Sequence, residues 1–226
     1  MKPLVIIGAG GHGRELLGIA RAVNARNPTW DIMGFVADGE QHPERAAALG
    51  AKILGGVDLL ERIDAAYLIG IGAPGPRAEI DVYASRHGLQ AAILVHPTAV
   101  VGDEVTLEPG CVVAAGAVLT TQIHLGRHTH VNVGASVSHD AVLGRWCTVG
   151  PGARVAGWVQ LGDAVDVGIG AVFRDRVKVG DRVVVGAGAV VVKDVPADLT
   201  VAGVPAKPLG RSAPHAASDR WNRGDG

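Results

Sequence analysis

From Val95 to Val191 every sixth residue is apolar: Val95, Val101, Leu107, Val113, Leu119, Leu125, Val131, Val137, Leu143, Val149, Val155, Leu161, Val167, Phe173, Val179, Val185 and Val191. In a chain with 48% hydrophobic residues, one register would do this by chance about four times in a million. The fifth position of each hexad is small or β-branched, as at Ala99, Val105, Cys111, Ala117, Ile123, Thr129, Ala135, Ala141 and Cys147 and on to Val195. It lies two residues before the next aliphatic, and residues two apart in a strand share a face, so both point inward. Glycine often follows the aliphatic (Gly102, Gly126, Gly144, Gly150, Gly162, Gly168, Gly180, Gly186), as expected where a chain turns a corner. Strand and corner alternating at this spacing make a triangular β-solenoid with about eighteen residues per coil. The 33 glycines and 4% aromatics suit its thin, uniform core.

Before Val95 the pattern is different. "LVII" reads as a strand, a Gly-rich turn follows, and "RELLGIARAVNARN" has helical spacing at Leu16, Leu17, Ala20 and Val23, ended by Asn27-Pro28. "DIMGFVAD" reads as a second strand, "PERAAALG" as a short helix and "AAYLIGIG" as a third strand. "GPRAEIDVYASRHG" is helical with Gly88 as its stop, and "QAAILV" closes the unit. This alternation predicts a small parallel, Rossmann-like α/β domain over residues 1–94. The β-helix is expected over 95–195, and a C-terminal cap with a disordered tail over 196–226, where the "RGD" is read as coincidence.

The formal charge of −1 gives no electrostatic case for nucleic acid, and no apolar run is long enough to span a bilayer. "MKPLVIIGAGGHGRE" lacks the h-region and cleavage site of a signal peptide. Two cysteines suggest a reducing compartment, so a cytoplasmic location without membrane partner is expected. Cys111 and Cys147 share an inward column two coils apart, about 9.6 Å, too far for a disulfide.

The opening turn, "GAGGHG", has glycines at Gly8, Gly10 and Gly13, formally the G-x-G-x-x-G of a dinucleotide-binding loop. NAD needs two mononucleotide halves, and this unit has room for little more than one. Close backbone approach at the glycines and helix N-terminal amides suit a phosphate, so a mononucleotide is the favoured ligand. Asp38, ending the second strand, suits a ribose or base contact. A purely structural turn and NAD itself are the competing readings.

"GAGGHG", "HPTAVV", "VNVGASVSHDAVLG" and "VAGVPAKPLG" follow one another in this order. Together they resemble the sialic acid O-acetyltransferase and nucleotide-aminosugar N-acetyltransferase family of hexapeptide-repeat proteins, over nearly the whole chain to about Leu209. The resemblance implies a left-handed β-helix, acetyl-CoA as co-substrate, a UDP- or GDP-type sugar on the first domain and a homotrimer. It implies that His139 is the general base and that the Gly157 N–H meets the oxyanion; Asp140, beside His139 at a corner rather than mid-strand, is placed to hold its tautomer. An imidazole titrates near neutral pH, as such a base must. Gly157 lies one coil above His139 in the same column, about 4.8 Å along the stack. Trp158 departs from the small or polar residue the family pattern leads one to expect. The substrate set implied is Gly8, Gly10, Gly11, His12, Gly13, Asp38 and Asn132, with His12 lining the sugar pocket. The acetyl-CoA set is Thr148, Gly157, Gly170, Ala187, Lys193 and Lys207.

His124, His128 and His130 invite a metal reading. His124 and His130 sit on successive sides of the triangle about 120° apart, so they do not converge, whereas zinc wants three or four ligands at one point. No metal is expected, and these histidines are read as solvated or interfacial. The stretch from Cys111 to Val137 carries Arg127 as its single Lys, Arg, Asp or Glu, a surface better buried against a second copy than left in water. The sequence therefore points to N-acetylation of a nucleotide-activated amino sugar. O-acetylation of a sialic acid or similar hydroxyl stands as an alternative, as do a metal-dependent hexapeptide hydratase and a non-enzymatic sugar-nucleotide binder.

Overall fold

The structure is a computed structural model, and it describes residues 1–39 and 42–212. The expected tail, with its "RGD", lies outside the described residues from residue 213 onward. The described residues divide into two compact units, the first running from Met1 to Ala92 and the second from Ile93 to residue 212.

The first unit contains β1 (Lys2–Ile7), α1 (Gly11–Arg26), β2 (Trp30–Val36), α2 (Pro43–Ala48), β3 (Ile53–Gly55), β4 (Ala66–Ile69) and α3 (Pro74–Arg86). The strands pair in parallel in the order β3-β2-β1-β4, so β1 is central and its Leu4, Val5, Ile6 and Ile7 are fully buried. Burying each such side chain is worth about 1.5–3 kcal/mol. Helix α1 packs Leu16, Leu17 and Ala20 inward. Asn24 fixes the turn into β2, accepting from the Thr29 and Trp30 N–H groups at 3.1 and 2.9 Å and donating to the Trp30 carbonyl at 2.7 Å. Strand β3 escaped the sequence reading, being three half-buried residues with no alternation to betray them. "QAAILV" does not close this sheet. Ala91 makes one isolated bridge to Tyr67, while Leu94–Val95 pairs with Val112–Val113 in the second unit.

The second unit is a left-handed β-helix of two-residue strands in three parallel sheets. One sheet runs through Val100, Val118, Ser136, Arg154, Val172 and Val190, one through Thr106, His124, Val142, Gln160 and Lys178, and one through Leu94, Val112, His130, Thr148, Asp166 and Val184. Each strand pairs with the strand eighteen residues on, as in Ser136↔Arg154 and His130↔Thr148. Both inward columns are buried from Cys111 to Val191. Val95, Val101 and Leu107 are not fully buried, since no coil lies beneath the first. At the far end Leu199–Ala202 pairs with Val184–Val185, then antiparallel with Lys207–Arg211.

The corner glycines correct an expectation. Gly102, Gly126, Gly144, Gly150, Gly162, Gly168, Gly180 and Gly186 do not have positive φ. They are glycines because the next coil crosses so close that a Cβ would meet its atoms, the Val167 carbonyl at 2.5 Å from Gly150 for example. The left-handed turn position lies two residues later. It is glycine along one edge (Gly116, Gly134, Gly152, Gly170, Gly188), non-glycine along a second, as at Gln122, Asp140 and Trp158, and non-glycine along the third after Gly110, as at His128, Trp146 and Ala164.

Candidate active site

His139 and Asp140 share a corner between the Ser136 and Val142 strands. Asp140 takes the left-handed conformation there, φ +59°, and this brings its carboxylate back to its neighbour. His139 Nδ1 and Asp140 Oδ2 are 2.8 Å apart, with the imidazole about half exposed. An ionised carboxylate only accepts, so Nδ1 carries the proton and Nε2 is left as the acceptor. The imidazole lies across buried Gly157, where a Cβ would stand 2.5 Å from its Cε1 and 2.7 Å from its Nε2.

The Gly157 N–H donates to no acceptor among the described residues. A neighbouring edge handles the same kind of amide differently. There the Arg127 N–H is taken by Glu108, the Arg145 N–H by Asp163 and the Asp163 N–H by Asp181, at 2.8–2.9 Å. Burial pushes the Asp163 carboxyl up, but Arg145, through its side chain and its N–H, outweighs this and holds it below the usual carboxylate range. At the His139 corner no carboxylate caps the amide.

In the first unit Gly8 has φ +101°, and Gly10 caps α1 without a side-chain hydrogen bond. The loop glycines separate into two kinds. A Cβ on Gly13 would strike the Gly8 carbonyl oxygen, and one on Gly70 would strike Gly13 Cα, so Gly13 is where helix and sheet touch. Around Gly10 and Gly11 an added Cβ would meet nothing within 4 Å. That open volume sits before the first amides of a sixteen-residue helix with no acidic residue in its first turn, a setting that favours an anion.

His12 lies in that first turn, largely buried, with Nδ1 3.1 Å from Glu15 Oε2. Burial lowers its pKa and the Arg77 charge lowers it further, against the raising effect of Glu15. The sequence reading missed Arg77. It is fully buried in α3 and donates to the carbonyls of Ile71 and Gly72 at 2.8 and 3.0 Å. Asp38 is exposed beyond β2, and its Oδ1 accepts the Val57 N–H at 2.9 Å, capping the short helical turn Val57–Glu61.

One chain does not bring the remaining residues together. Lys193 lies three coils above His139 in its column, about 14 Å along the stack, and is exposed. Gly170 and Ala187 are exposed on the glycine edge; Asn132 stands on the same edge, its amide donating to the Val149 carbonyl at 3.1 Å. Thr148 is buried on a sheet face, and Lys207 is exposed in the terminal hairpin.

Two of the three histidines depart from expectation. His128 and His130 are fully buried rather than solvated, and the His128 ring covers Gly110, where no Cβ would fit. His124 is partly exposed and pairs with Glu108 at 3.1 Å. No group of three or more metal-ligating side chains occurs among the described residues. Cys111 and Cys147 are buried thiols directed at the Gly126 and Gly162 carbonyls. No described helix is long and apolar enough to cross a membrane.

Residues 3–81 match the PglD N-terminal domain family. The acetyltransferase domain of PglB from Neisseria gonorrhoeae FA1090, in complex with acetyl coenzyme A, is 32% identical with a TM-score of 0.81, covering 92% of this chain and 99% of that one. PerB from Caulobacter crescentus, in complex with CoA and GDP-perosamine, is 32% identical with a TM-score of 0.83, covering 93% of this chain and 98% of that one. WeeI from Acinetobacter baumannii AYE is 28% identical with a TM-score of 0.81, covering 92% of this chain and all 100% of the other. Among curated protein sequences none matches the chain.

Proposed function

The chain belongs to the hexapeptide-repeat sugar N-acetyltransferase family, and from that premise we propose that it moves the acetyl group of acetyl-CoA to the amine of a nucleotide-linked amino sugar, with His139 as base. That it is a sugar acetyltransferase follows from its family. The observation that carries the finer reading is the His139–Asp140 pair laid over an uncapped Gly157 amide.

Asp140 holds the proton on Nδ1, so Nε2 takes a proton from the acceptor amine as its nitrogen attacks the thioester carbonyl. The Gly157 N–H receives the oxyanion, worth about 2.7–4 kcal/mol of barrier for a well-placed donor. Collapse breaks the carbon–sulfur bond, and the imidazolium returns its proton to the departing CoA thiolate. The product is an amide and free CoA.

The nucleotide is assigned to the open ground at Gly10 and Gly11 and the thioester to the second unit. A thioester stretched along the glycine edge at Gly170 and Ala187 lies on a different edge from His139 of the same chain. It meets His139 of a neighbouring copy instead, so the working enzyme is a homotrimer with acetyl-CoA between subunits. The exposed Val133 (53%) and Ile169 (64%), next to Gly134 and Gly170 on that edge, give that association apolar surface to bury.

The test is thiol release from acetyl-CoA with a panel of UDP-, GDP- and TDP-linked amino sugars. A product that survives hydroxylamine is an amide, whereas one cleaved by it is the ester of O-transfer. Absence of thiol release across the panel, with tight sugar-nucleotide binding, would leave a binder and end this reading.

A further inference from the structure

Trp158 occupies the left-handed position of its corner, φ +62°, in the column Glu104, Gln122, Asp140, Trp158, Arg176. Every other residue of that column is polar or charged. A bulky side chain at positive φ costs about 1–2 kcal/mol, and the indole recovers little by burial, being 46% exposed. Burial therefore does not account for a tryptophan here.

Its surroundings suggest what does. The Trp158 N–H donates to the His139 carbonyl at 2.9 Å, and the preceding residue, Gly157, is the one the imidazole covers. The Trp158 backbone thus lies one coil above that of the proposed base. The Arg176 guanidinium lies 5.3 Å from its ring centroid, and the Arg176 N–H donates to the Gly157 carbonyl at 3.0 Å. A cation over one face fixes the ring's orientation and leaves its other surface for a ligand. A half-exposed, braced aromatic ring is a platform for a molecule with an apolar face, and among the reactants proposed above the pyranose ring, with its C–H groups on one side, has that shape and must come within reach of His139.

We infer that Trp158 is a specificity-determining residue, the platform against which the acceptor sugar packs its C–H face, and that Arg176 is a positioning residue holding the indole. The inference rests on the proposed acetyl transfer. It predicts preference for amino sugars whose stacking face bears C–H groups over those bearing a hydroxyl there.

The test uses full-length protein, with GDP-perosamine as the first acceptor and the best amino sugar of the panel as the second. Trp158→Ala is expected to raise acceptor KM about tenfold, the scale of one apolar contact, with acetyl-CoA KM and oligomeric state unchanged. Trp158→Phe restores most of the loss because an aromatic face remains. Arg176→Gln gives an intermediate acceptor KM. Indole fluorescence supplies a readout without turnover: the sugar nucleotide quenches the wild type more than the bare diphosphate does, and Trp158→Phe abolishes the difference. If the wild type turns over an acceptor and Trp158→Ala has the same acceptor KM, the platform is overturned while the acetyl transfer stands. A rise in acetyl-CoA KM alone overturns it too, since the indole then serves the thioester. Absence of turnover by the wild type with every acceptor defeats the underlying reading instead.

Discussion

The imidazole of His139 lies across Gly157, one coil above it, closely enough that a methyl on Gly157 would sit 2.5 Å from Cε1. The glycine therefore does two things, giving the ring its seat and keeping an uncapped amide beside it. Gly157→Ala should fold and assemble, because the atoms it meets belong to a half-exposed side chain rather than to backbone. The imidazole must then swing off the amide, and kcat should fall about 10–10³-fold. Thiol-release kinetics would show it, and unchanged kcat would mean that ring and amide do not act together.

Removing the base itself is a separate experiment. His139→Ala should lower kcat by about 10²–10⁴ with acetyl-CoA binding nearly intact. His139→Asn is the sharper variant, keeping a polar side chain of similar reach that accepts no proton at neutral pH. Wild-type kcat in either one, measured beside acetyl-CoA binding by calorimetry, would remove His139 from the mechanism.

How much of this was legible depended on the range of each signal. The hexad period specified the solenoid because every turn repeats the same inward pair, so Val149 and Cys147 carry the same message as Val131 and Thr129. That His139 and Asp140 stand at a corner was readable for the same reason. What the period could not convey was what lies one coil away. Gly150 looked like a turn residue, yet its hydrogen is demanded by the coil above it. His128 looked like a surface residue, yet its ring fills the space over Gly110 and is fully buried. The stack of Arg176 on Trp158 joins residues eighteen apart, invisible unless the columns are written out. In the first unit, β3 was missed because "ILG" is too short and too glycine-flanked to show a period, and Arg77 because nothing local marks a helical arginine as buried.

His12 gives the first unit a pH dependence of definite sign. Its pKa is lowered in the folded chain, by burial first, from an unfolded value near 6.5. Between the two values the unfolded chain holds a proton that the folded one lacks, so stability rises with pH across that window. The contribution is fully present above about pH 6.5 and is lost as pH falls toward the lowered value. His12→Gln removes the group and should flatten this part of the profile. Urea midpoints of both proteins between about pH 7.5 and pH 5 would decide it, and parallel curves would show that His12 is not the group responsible.

The opening loop offers the cleanest separation of binding from folding, because its glycines serve different ends. An added Cβ at Gly10 meets nothing within 4 Å, so Gly10→Val fills open ground before the α1 amides and leaves the packing alone. If a diphosphate lies there, uridine or guanosine diphosphate should protect the wild type against heat, by about 2.7 kcal/mol at a hundredfold excess over Kd. NAD should not, since its second half has nothing to lie on. Gly10→Val should lose the protection with only a small fall in its own unfolding temperature, valine being a poorer helix cap than glycine, and should keep its acetyl-CoA binding and its assembly. Gly13→Ala should behave oppositely. Its methyl would collide with the Gly8 carbonyl, which is backbone and cannot rotate away, so the first unit loses stability even without ligand. Two thermal melts per variant, with and without diphosphate, distinguish the cases. Protection of the wild type by NAD and by neither diphosphate would overturn the mononucleotide assignment, and with it the nucleotide-sugar reading of the acceptor.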